Sequence, residues 1–348
     1  MKRLAIAALA VSLVSCSFIR GNVPRPDLGT AIDAAAASVE IKQKYDDCKA
    51  FSEKPISYPE EVAIGGAIAL ALGAKSQGGV FVEVSPEIAS LSSIPKGKYD
   101  KQKPAPGTGP KTDLTKYLNL LGKGLASFSD RPTIEWVFVV LDSPTPNAFS
   151  APGGYVFVTT GMLKQVQNEA QLAGIIGHEI GHVTGKHALE AYKKSKLVSC
   201  LSAYFGEKAS DGAVRSVLGP LADDVGRIPF AGDVLASLKL PVFDPNKLSG
   251  PFVKWLTNKI VEWLSADGYG DMEKGADAIG TKVLAFSGYD IAEYEKVIAG
   301  LPEGVGAIKH PSNKERLATI AEAKKDVADF SGAGKAPALS PTVAAAVK

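Results

Sequence analysis

The sequence predicts an α+β fold that is mainly helical and includes a small β-sheet. From Asn168 onwards, apolar residues recur at helical spacing, and Asn168 followed by Gln171 is typical of a helix N-cap with a polar partner three residues later. Another helix is predicted over 113–127. The segments 134–141 (IEWVFVVL) and 155–159 (YVFVT) are short and rich in β-branched and aromatic residues, which favours strands. We therefore expect a few short strands beside the helix that follows Asn168.

Composition divides the 348-residue chain into four parts. The region before the main domain is expected to be helical over 28–75, to contain a strand in GGVFVEVSPE (78–87) and to continue into a linker rich in Pro, Gly and Lys. The C-terminal tail is low in complexity and is expected to be disordered. The predicted parts are a signal peptide (1–15), an N-terminal helical and extended region that includes the linker (16–111), a main domain (112–330) and the tail (331–348).

The segment GIIGHEIGHVTGKHAL (174–189) contains three of the four histidines of the chain. On a helix, His178 and His182 lie on one face, so both imidazoles can bind one metal ion. Glu179 lies about 100° further round the helix, where it can hold a water bound to that ion and act as a general base. Two histidines on an apolar helix can also be hydrogen-bonded core residues. The metal hypothesis therefore needs a third ligand.

Catalytic zinc usually has three protein ligands and an open fourth position. The segment DMEKGADAIG (271–280) places Glu273 and Asp277 four residues apart on a second predicted helix. We predict that Glu273 is the third ligand and that Asp277 accepts an N–H from a ligating histidine. An acidic pair on a solvated helix face has the same spacing. The fourth histidine, His310, precedes a proline, a pattern that usually indicates no more than a turn.

Five segments of the chain resemble peptidase family M48, a family of zinc metallopeptidases that includes periplasmic lipoproteins. They occur in the family's order within residues 112–322, and their combination is specific. The resemblance implies a zincin fold of the gluzincin type, with a small β-sheet beside the HExxH helix, and zinc endopeptidase activity. The segments are PNAFSAPGGYVFVTTGML (146–163), NEAQLAGIIGHEIGHVTGKHAL (168–189), EKGADAIG (273–280), FSGYD (286–290) and HPSNKERL (310–317).

The resemblance implies one zinc ion per chain, bound by His178, His182 and Glu273, with Glu179 as the general base. His310 is similar to the family's His-Pro histidine, which lies near the metal. Such a histidine is expected either to steady the tetrahedral intermediate as a catalytic residue or to occupy the open metal position in a latent state.

Residues 147–158 resemble the strand beside the cleft that pairs with an extended substrate. The chain departs from the family pattern in two places: Lys186 stands where an arginine is common, and the segment 188–272 is longer than in compact members. The second departure leaves open whether that segment covers the cleft. The residues predicted to bind the substrate strand are Asn147, Ala148, Tyr155 and Phe157.

The N-terminus has the pattern of a bacterial lipoprotein signal. Lys2 and Arg3 precede an apolar run, Leu4 to Val14, that is shorter than the roughly 20 residues needed to span a bilayer. The run ends in LVSC, which resembles a lipobox, so Cys16 is expected to carry a lipid. Ser17 favours the outer membrane by the sorting rule for such proteins. We therefore expect an exported protein anchored at the periplasmic face of that membrane.

Without residues 1–15 the chain has equal numbers of basic and acidic residues, which excludes a strongly basic nucleic-acid-binding protein. Cys48 and Cys200 would then lie in an oxidising compartment, where they can form a disulfide. Two buried free thiols are an equal alternative, because the sequence does not show whether these cysteines meet.

These observations predict a zinc endopeptidase of the bacterial envelope whose substrates are unfolded or misassembled envelope proteins. The alternative is a largely latent zinc-binding chaperone or assembly factor, in which His310 or the segment 188–272 closes the site. The two functions differ in whether Glu179 is required.

Overall fold

The computed structural model describes residues 28–73, 80–81, 110–141, 143–205, 208, 211–218, 269–301, 303, 311–329, 334–341 and 343. Several predicted features lie outside these residues: the signal peptide, Cys16, most of the linker, much of the segment 188–272, and His310. In the part of the chain that the structure describes, no helix is both long and apolar enough to cross a membrane.

The described residues form mainly helices, together with a small sheet. The helices are α1 (Leu28–Ser52), α2 (Tyr58–Gly73), α3 (Pro110–Ala126), α4 (Thr160–Gln165), α5 (Glu169–Thr184), α6 (His187–Phe205), α7 (Gly212–Leu218), α8 (Tyr269–Phe286), α9 (Ile291–Gly300) and α10 (Asn313–Asp326). The strands are β1 (Val80–Phe81), β2 (Val137–Leu141), β3 (Ala148–Ala151) and β4 (Tyr155–Thr159). This mainly helical fold with a small sheet confirms the predicted class.

The strands form one four-stranded sheet in the order β1-β2-β4-β3. Strand β4 has the predicted bounds, whereas β2 is shorter than predicted because its parallel pairing with β4 begins at Val137, opposite Tyr155. Strands β3 and β4 form an antiparallel hairpin, whose turn contains Gly153 and Gly154 at φ values of 84° and 101°. An L-residue with a side chain rarely adopts this conformation, so the turn requires glycine. Among the described strands, β3 is therefore an edge and β4 is interior.

The chain divides into two compact units. The first unit comprises Met1–Pro55 and Lys193–Leu238. Within it, α1 packs against α7, and Cys48 and Cys200 form a disulfide. The structure therefore has the disulfide rather than two free thiols.

The second unit comprises Ile56–Tyr192 and Lys239–Lys348, so it includes α2 and lacks residues 193–238 of the predicted main domain. Its core lies where the sheet meets α3, α5, α8 and α9. The largest fully buried side chains of this core include Leu118, Phe138, Ile176, Leu284 and Tyr294.

Helix α5 packs against α8 at backbone distance, with glycines at the contact. A Cβ at Gly181 would lie 2.7 Å from the carbonyl oxygen of Ala276, and one at Gly280 would lie 2.9 Å from the amide nitrogen of His178. Both distances are too short for a side chain to fit without a shift. The loss of helix propensity at these glycines is therefore offset by close packing of the two helices.

The C-terminal tail was expected to be disordered, and for its described residues this prediction is wrong. The backbone of Lys335 bonds to Gly288 and Asp290, and Glu169 donates its N–H to the carbonyl of Pro337. The side chain of Val343 is fully buried in the core of the second unit. Low-complexity composition did not indicate these contacts, because they depend on a surface made by distant segments.

Candidate metal centre

Three buried donor groups from two helices meet at one point. His178 and His182 lie one turn apart on α5, and Glu273 lies on the facing side of α8. The distance between the two Nε2 atoms is 3.1 Å, and the Glu273 carboxylate oxygens lie 3.4 Å from Nε2 of His178 and 3.0 Å from Nε2 of His182. The close packing of α5 on α8 is what brings the carboxylate to the imidazoles.

These distances fit a zinc ion. Ligands about 2.0–2.1 Å from zinc at tetrahedral angles are about 3.3 Å from one another. The observed separations of 3.0–3.4 Å have this size. Two imidazoles and one carboxylate are also a donor set found in catalytic zinc sites. The residues present therefore fit the metal that the motif predicts, and this donor set also accepts other divalent ions.

Asp277 makes the contact that its spacing predicts. Its Oδ1 lies 2.8 Å from Nδ1 of His178, so His178 can donate to Asp277 and direct its Nε2 lone pair towards the metal position. Arg316 of α10 binds the same carboxylate with two N–H groups, at 2.7 and 2.9 Å, and the Tyr294 hydroxyl donates to Oδ1 at 2.6 Å.

The electrostatics of this cluster keep Asp277 ionised. Burial alone would raise the pKa of the Asp277 carboxyl, but His178 and the Arg316 guanidinium outweigh it and hold the pKa well below its ordinary value. Burial and the neighbouring Asp277 carboxylate raise the pKa of Tyr294 well above its ordinary value. Tyr294 therefore remains a phenol and acts as a donor. Asp277, Tyr294 and Arg316 therefore orient His178 and keep their own protonation states near neutral pH.

Sequence reasoning did not find the roles of Tyr294 and Arg316. Arg316 follows the His-Pro pair in the segment HPSNKERL, which was the one available signal. Tyr294 lies in α9 and had no signal, because a tyrosine on an amphipathic helix is an ordinary core residue.

The third histidine of the segment 174–189, His187, lies against His182. Nδ1 of His187 is 2.8 Å from Nδ1 of His182, and the two rings meet edge to face. Burial, together with His182 and His178, lowers the pKa of His187 to about 4. The sequence did not predict this contact, because His187 is five residues after His182 and begins a new helix.

Glu179 lies within the residues that the structure describes, whereas His310 does not. Glu179 is buried on α5 directly after His178. His310 lies outside the described residues, but the adjacent Pro311 is described. A Cβ added at Gly270, one turn before Glu273, would lie 3.9 Å from Cγ of Pro311.

The four residues predicted to bind a substrate strand lie in or next to the β3–β4 hairpin. Asn147 and Ala148 belong to its outer side, whereas Tyr155 and Phe157 belong to β4. Strand β4 pairs with β2 on one side and with β3 on the other. Its backbone therefore has no free edge, and the prediction that Tyr155 and Phe157 pair with a substrate strand is wrong. Their side chains are instead buried in the sheet.

The outer backbone groups of β3 can be assigned from its register. Thr159 donates its N–H to the carbonyl of Asn147, so this is a hydrogen-bonded pair, and such pairs alternate along an antiparallel ladder. The residues between them, Ala148 and Ser150, direct their N–H and C=O groups away from β4. These two residues therefore offer backbone donors and acceptors at the edge of the sheet.

An ion pair between the partly buried Arg131 and the buried Glu61 joins the hairpin to α5. Arg131 forms two bonds of 2.8 Å with the Glu61 carboxylate and donates to the carbonyl of Val183, the residue after His182. Glu61 also accepts the N–H of Gly153 in the hairpin turn, at 2.9 Å. The edge strand and the HExxH helix are thus held by one pair of side chains.

Comparison with known proteins agrees with this geometry. Residues 113–220 match the model of peptidase family M48. The mitochondrial metalloendopeptidase OMA1 of Schizosaccharomyces pombe is 36% identical over 87 residues, which are 25% of this chain and 26% of the relative. The mitochondrial metalloendopeptidase OMA1 of Arabidopsis thaliana is 27% identical over 207 residues, 58% of this chain and 34% of the relative. The beta-barrel assembly-enhancing protease of Escherichia coli K12 is 26% identical over 177 residues, 51% of this chain and 30% of the relative.

The chain spans no more than 34% of the length of these three relatives. The family model covers α5 and with it His178, Glu179 and His182. Glu273 lies beyond the matched residues, and the packing of α8 brings it to the two histidines. On the family model and these relatives together, residues 113–220 of the chain resemble peptidase family M48.

Proposed function

We propose that this protein is a zinc-dependent endopeptidase. The observation that supports the proposal most strongly is the set of three buried donor groups whose separations of 3.0–3.4 Å suit one zinc ion. Two rigidly packed helices hold these groups, so the site is organised before a metal binds. The match of residues 113–220 to a peptidase family supports hydrolysis of a peptide bond as the reaction.

Bound zinc supplies a water whose pKa is lowered to about 7 and polarises the substrate carbonyl. Glu179 is the general base: its carboxylate takes a proton from the attacking water and later gives it to the nitrogen of the leaving amine. Its place next to His178 on α5 supports this role. His178, in turn, is oriented by Asp277, and Glu273 approaches from α8.

The open edge of β3 binds the substrate as an added strand. Ala148 and Ser150 direct their backbone groups outwards, which is the arrangement that β-augmentation requires. Backbone pairing recognises an extended chain without regard to most of its side chains. It therefore suits unfolded or misassembled proteins as substrates.

His310 acts near the reacting carbonyl. Pro311 lies beside the helix that carries Glu273, which supports a position close to the metal. In this role His310 donates a hydrogen bond to the oxyanion.

The protein works in the bacterial envelope, anchored by a lipid on Cys16. The N-terminal pattern supports export, and the Cys48–Cys200 disulfide suits an oxidising compartment. The name of the beta-barrel assembly-enhancing protease of Escherichia coli supports a substrate among envelope proteins that assemble incorrectly.

A largely latent zinc-binding chaperone is the second candidate. The long segment 188–272 favours it, because an insertion between the metal ligands can cover the cleft. Such a protein binds zinc and unfolded chains but does not need Glu179.

The first experiment measures cleavage of casein by the mature protein loaded with one zinc per chain. The Glu179→Gln variant is expected to retain the zinc and to lose cleavage, because the amide accepts no proton from water. A sample treated with chelator is expected to lose both. Glu40→Gln, at an exposed glutamate of α1, is the matched control and is expected to cleave like the wild type.

Cleavage by Glu179→Gln at the wild-type rate would contradict the assignment of the base. If zinc-loaded wild type cleaves nothing but still prevents aggregation of an unfolded protein, the chaperone is the better description. In that case His310→Ala tests whether this histidine closes the site.

A further inference from the structure

His182 needs a partner on its second ring nitrogen, and a second histidine lies next to that nitrogen. A histidine that binds a metal through Nε2 carries its proton on Nδ1, which usually donates to a fixed acceptor. For His178 the acceptor is Asp277. For His182 the structure places the Nδ1 of His187 within hydrogen-bond distance of Nδ1, at 2.8 Å.

We propose that His187 is a positioning residue for His182, accepting a hydrogen bond from its Nδ1–H and so fixing the tautomer and ring angle that direct Nε2 of His182 at the metal. The inference rests on the proposed metal site. It also assigns the tautomer of His187, because an accepting Nδ1 leaves the ring proton on Nε2.

The backbone between α5 and α6 is shaped to bring this ring back onto α5. Helix α5 ends at Thr184, and Lys186 adopts φ 56°, a left-handed conformation that a residue with a side chain rarely adopts. The strained residue lies directly before His187. The turn reverses the chain so that a residue five positions after His182 returns to its imidazole.

The glycine directly after α5 makes room for the ring. A Cβ at Gly185 would lie 2.4 Å from Nε2 of His187, and one at Gly275 of α8 would lie 3.7 Å from the same atom. The ring is therefore confined between the end of α5 and the helix that carries Glu273. Gly185→Ala would displace the ring, whereas Gly275→Ala adds only an ordinary contact.

The test compares the zinc affinity of three variants by competition with a chelator of known affinity. His187→Asn places an amide oxygen near the position of Nδ1 and keeps an acceptor for His182. His187→Gln places its amide near the position of Nε2, and His187→Leu has no acceptor. We expect the His187→Gln and His187→Leu variants to bind zinc about 10- to 100-fold more weakly than the wild type. The His187→Asn variant is expected to keep most of the wild-type affinity.

Glycine variants separate ring position from ring chemistry. Gly185→Ala is expected to weaken zinc binding although the histidine is still present, and Gly275→Ala is the control that leaves the affinity unchanged. If all three His187 variants bind zinc like the wild type, the inference is wrong while the proposed metal site stands. If the His187→Asn variant binds zinc as weakly as the His187→Leu variant, His187 does not act as an acceptor. A wild type that binds no zinc overturns both the inference and the proposed function.

A measurement on the unaltered protein does not depend on the folding of any variant. The chain has only four histidines, so ¹⁵N-histidine NMR of the zinc-loaded protein can resolve each ring. We expect His182 to carry its proton on Nδ1 and His187 to carry its proton on Nε2. A proton on Nδ1 of His187 would contradict the proposed direction of the hydrogen bond.

Discussion

At the scale of the residue, Asp277 shows how one carboxylate can organise a site. It is fully buried and bonds His178, Tyr294 and Arg316, which come from three other helices. An uncompensated charge at this depth would be costly, so the guanidinium is needed for the carboxylate to remain ionised. The spacing of Asp277 from Glu273 predicted its contact with a histidine, but not the two residues that make its burial tolerable.

Arg316→Leu tests this dependence. Removing one partner of a buried ion pair leaves the other charge uncompensated, so we expect the free energy of unfolding to fall by about 3–5 kcal/mol. Urea unfolding of the metal-free protein measures the change. Lys325→Met on the same helix is the matched control, because its ion pair with Glu322 is exposed on both sides, and such pairs contribute little. An equal effect of the two substitutions would contradict the argument.

At the scale of the element, the contact between α5 and α8 determines the geometry of the metal centre. Three glycines of α5, Gly174, Gly177 and Gly181, face Tyr294, Leu284 and the backbone of α8. Because the helices approach at backbone distance, a shift of either one changes the distance from Glu273 to the histidines.

Gly181→Ala is expected to destabilise the protein and to weaken zinc binding. Its Cβ would lie 2.7 Å from the carbonyl of Ala276, and overpacking of this kind costs about 1–3 kcal/mol. The same change at Gly124 of α3 meets no atom within 4 Å and should stabilise the helix by about 0.5–1 kcal/mol. Thermal unfolding and chelator competition measure the two effects. If both variants are stabilised, the close approach of α5 and α8 has no energetic role.

Glu293 connects the start of α5 to α9 and makes this connection sensitive to acid. Its carboxylate accepts hydrogen bonds from Lys296, Asn168 and Gln171, which lower its pKa from 4.5 to about 2. A folded-state pKa below the unfolded value means that the carboxylate stabilises the fold above about pH 4.5, and that this contribution is lost as the pH falls towards 2.

We therefore expect Glu293→Gln to be less stable than the wild type at pH 7 and to approach it as the pH falls from 4.5 to 2. Urea unfolding of the metal-free proteins at several pH values measures the difference and avoids the separate effect of zinc release. Glu322→Gln, at an exposed position of α10, is the control. A stability difference that stays constant down to pH 2 would show that Glu293 does not titrate as described.

At the scale of the whole molecule, the C-terminal tail belongs to the second unit. Its described part bonds the start of α5 and the loop before α9, and Val343 is fully buried. A chain that ends at residue 330 is therefore expected to unfold at a lower temperature than the full chain. Differential scanning calorimetry of the two zinc-free proteins measures the difference. Equal melting temperatures would mean that the tail contributes no stability.

The sequence by itself determined the local features of this protein. The 3.6-residue period places His178 and His182 on one face, and the same period relates Glu273 to Asp277. A short run of β-branched and aromatic residues predicted the bounds of β4. Each of these inferences uses residues within one or two turns of each other, where backbone geometry is known in advance.

Only the tertiary structure decided which distant residues meet. It brought Glu273 to the histidines, paired Cys48 with Cys200, and made β3 rather than β4 the free edge. It also placed His187 against His182, although no helical period joins them. These contacts depend on how the helices, the strands and the turn after α5 fit together in three dimensions. The physical reason is that packing follows the shape of whole surfaces, which a spacing between residues does not specify.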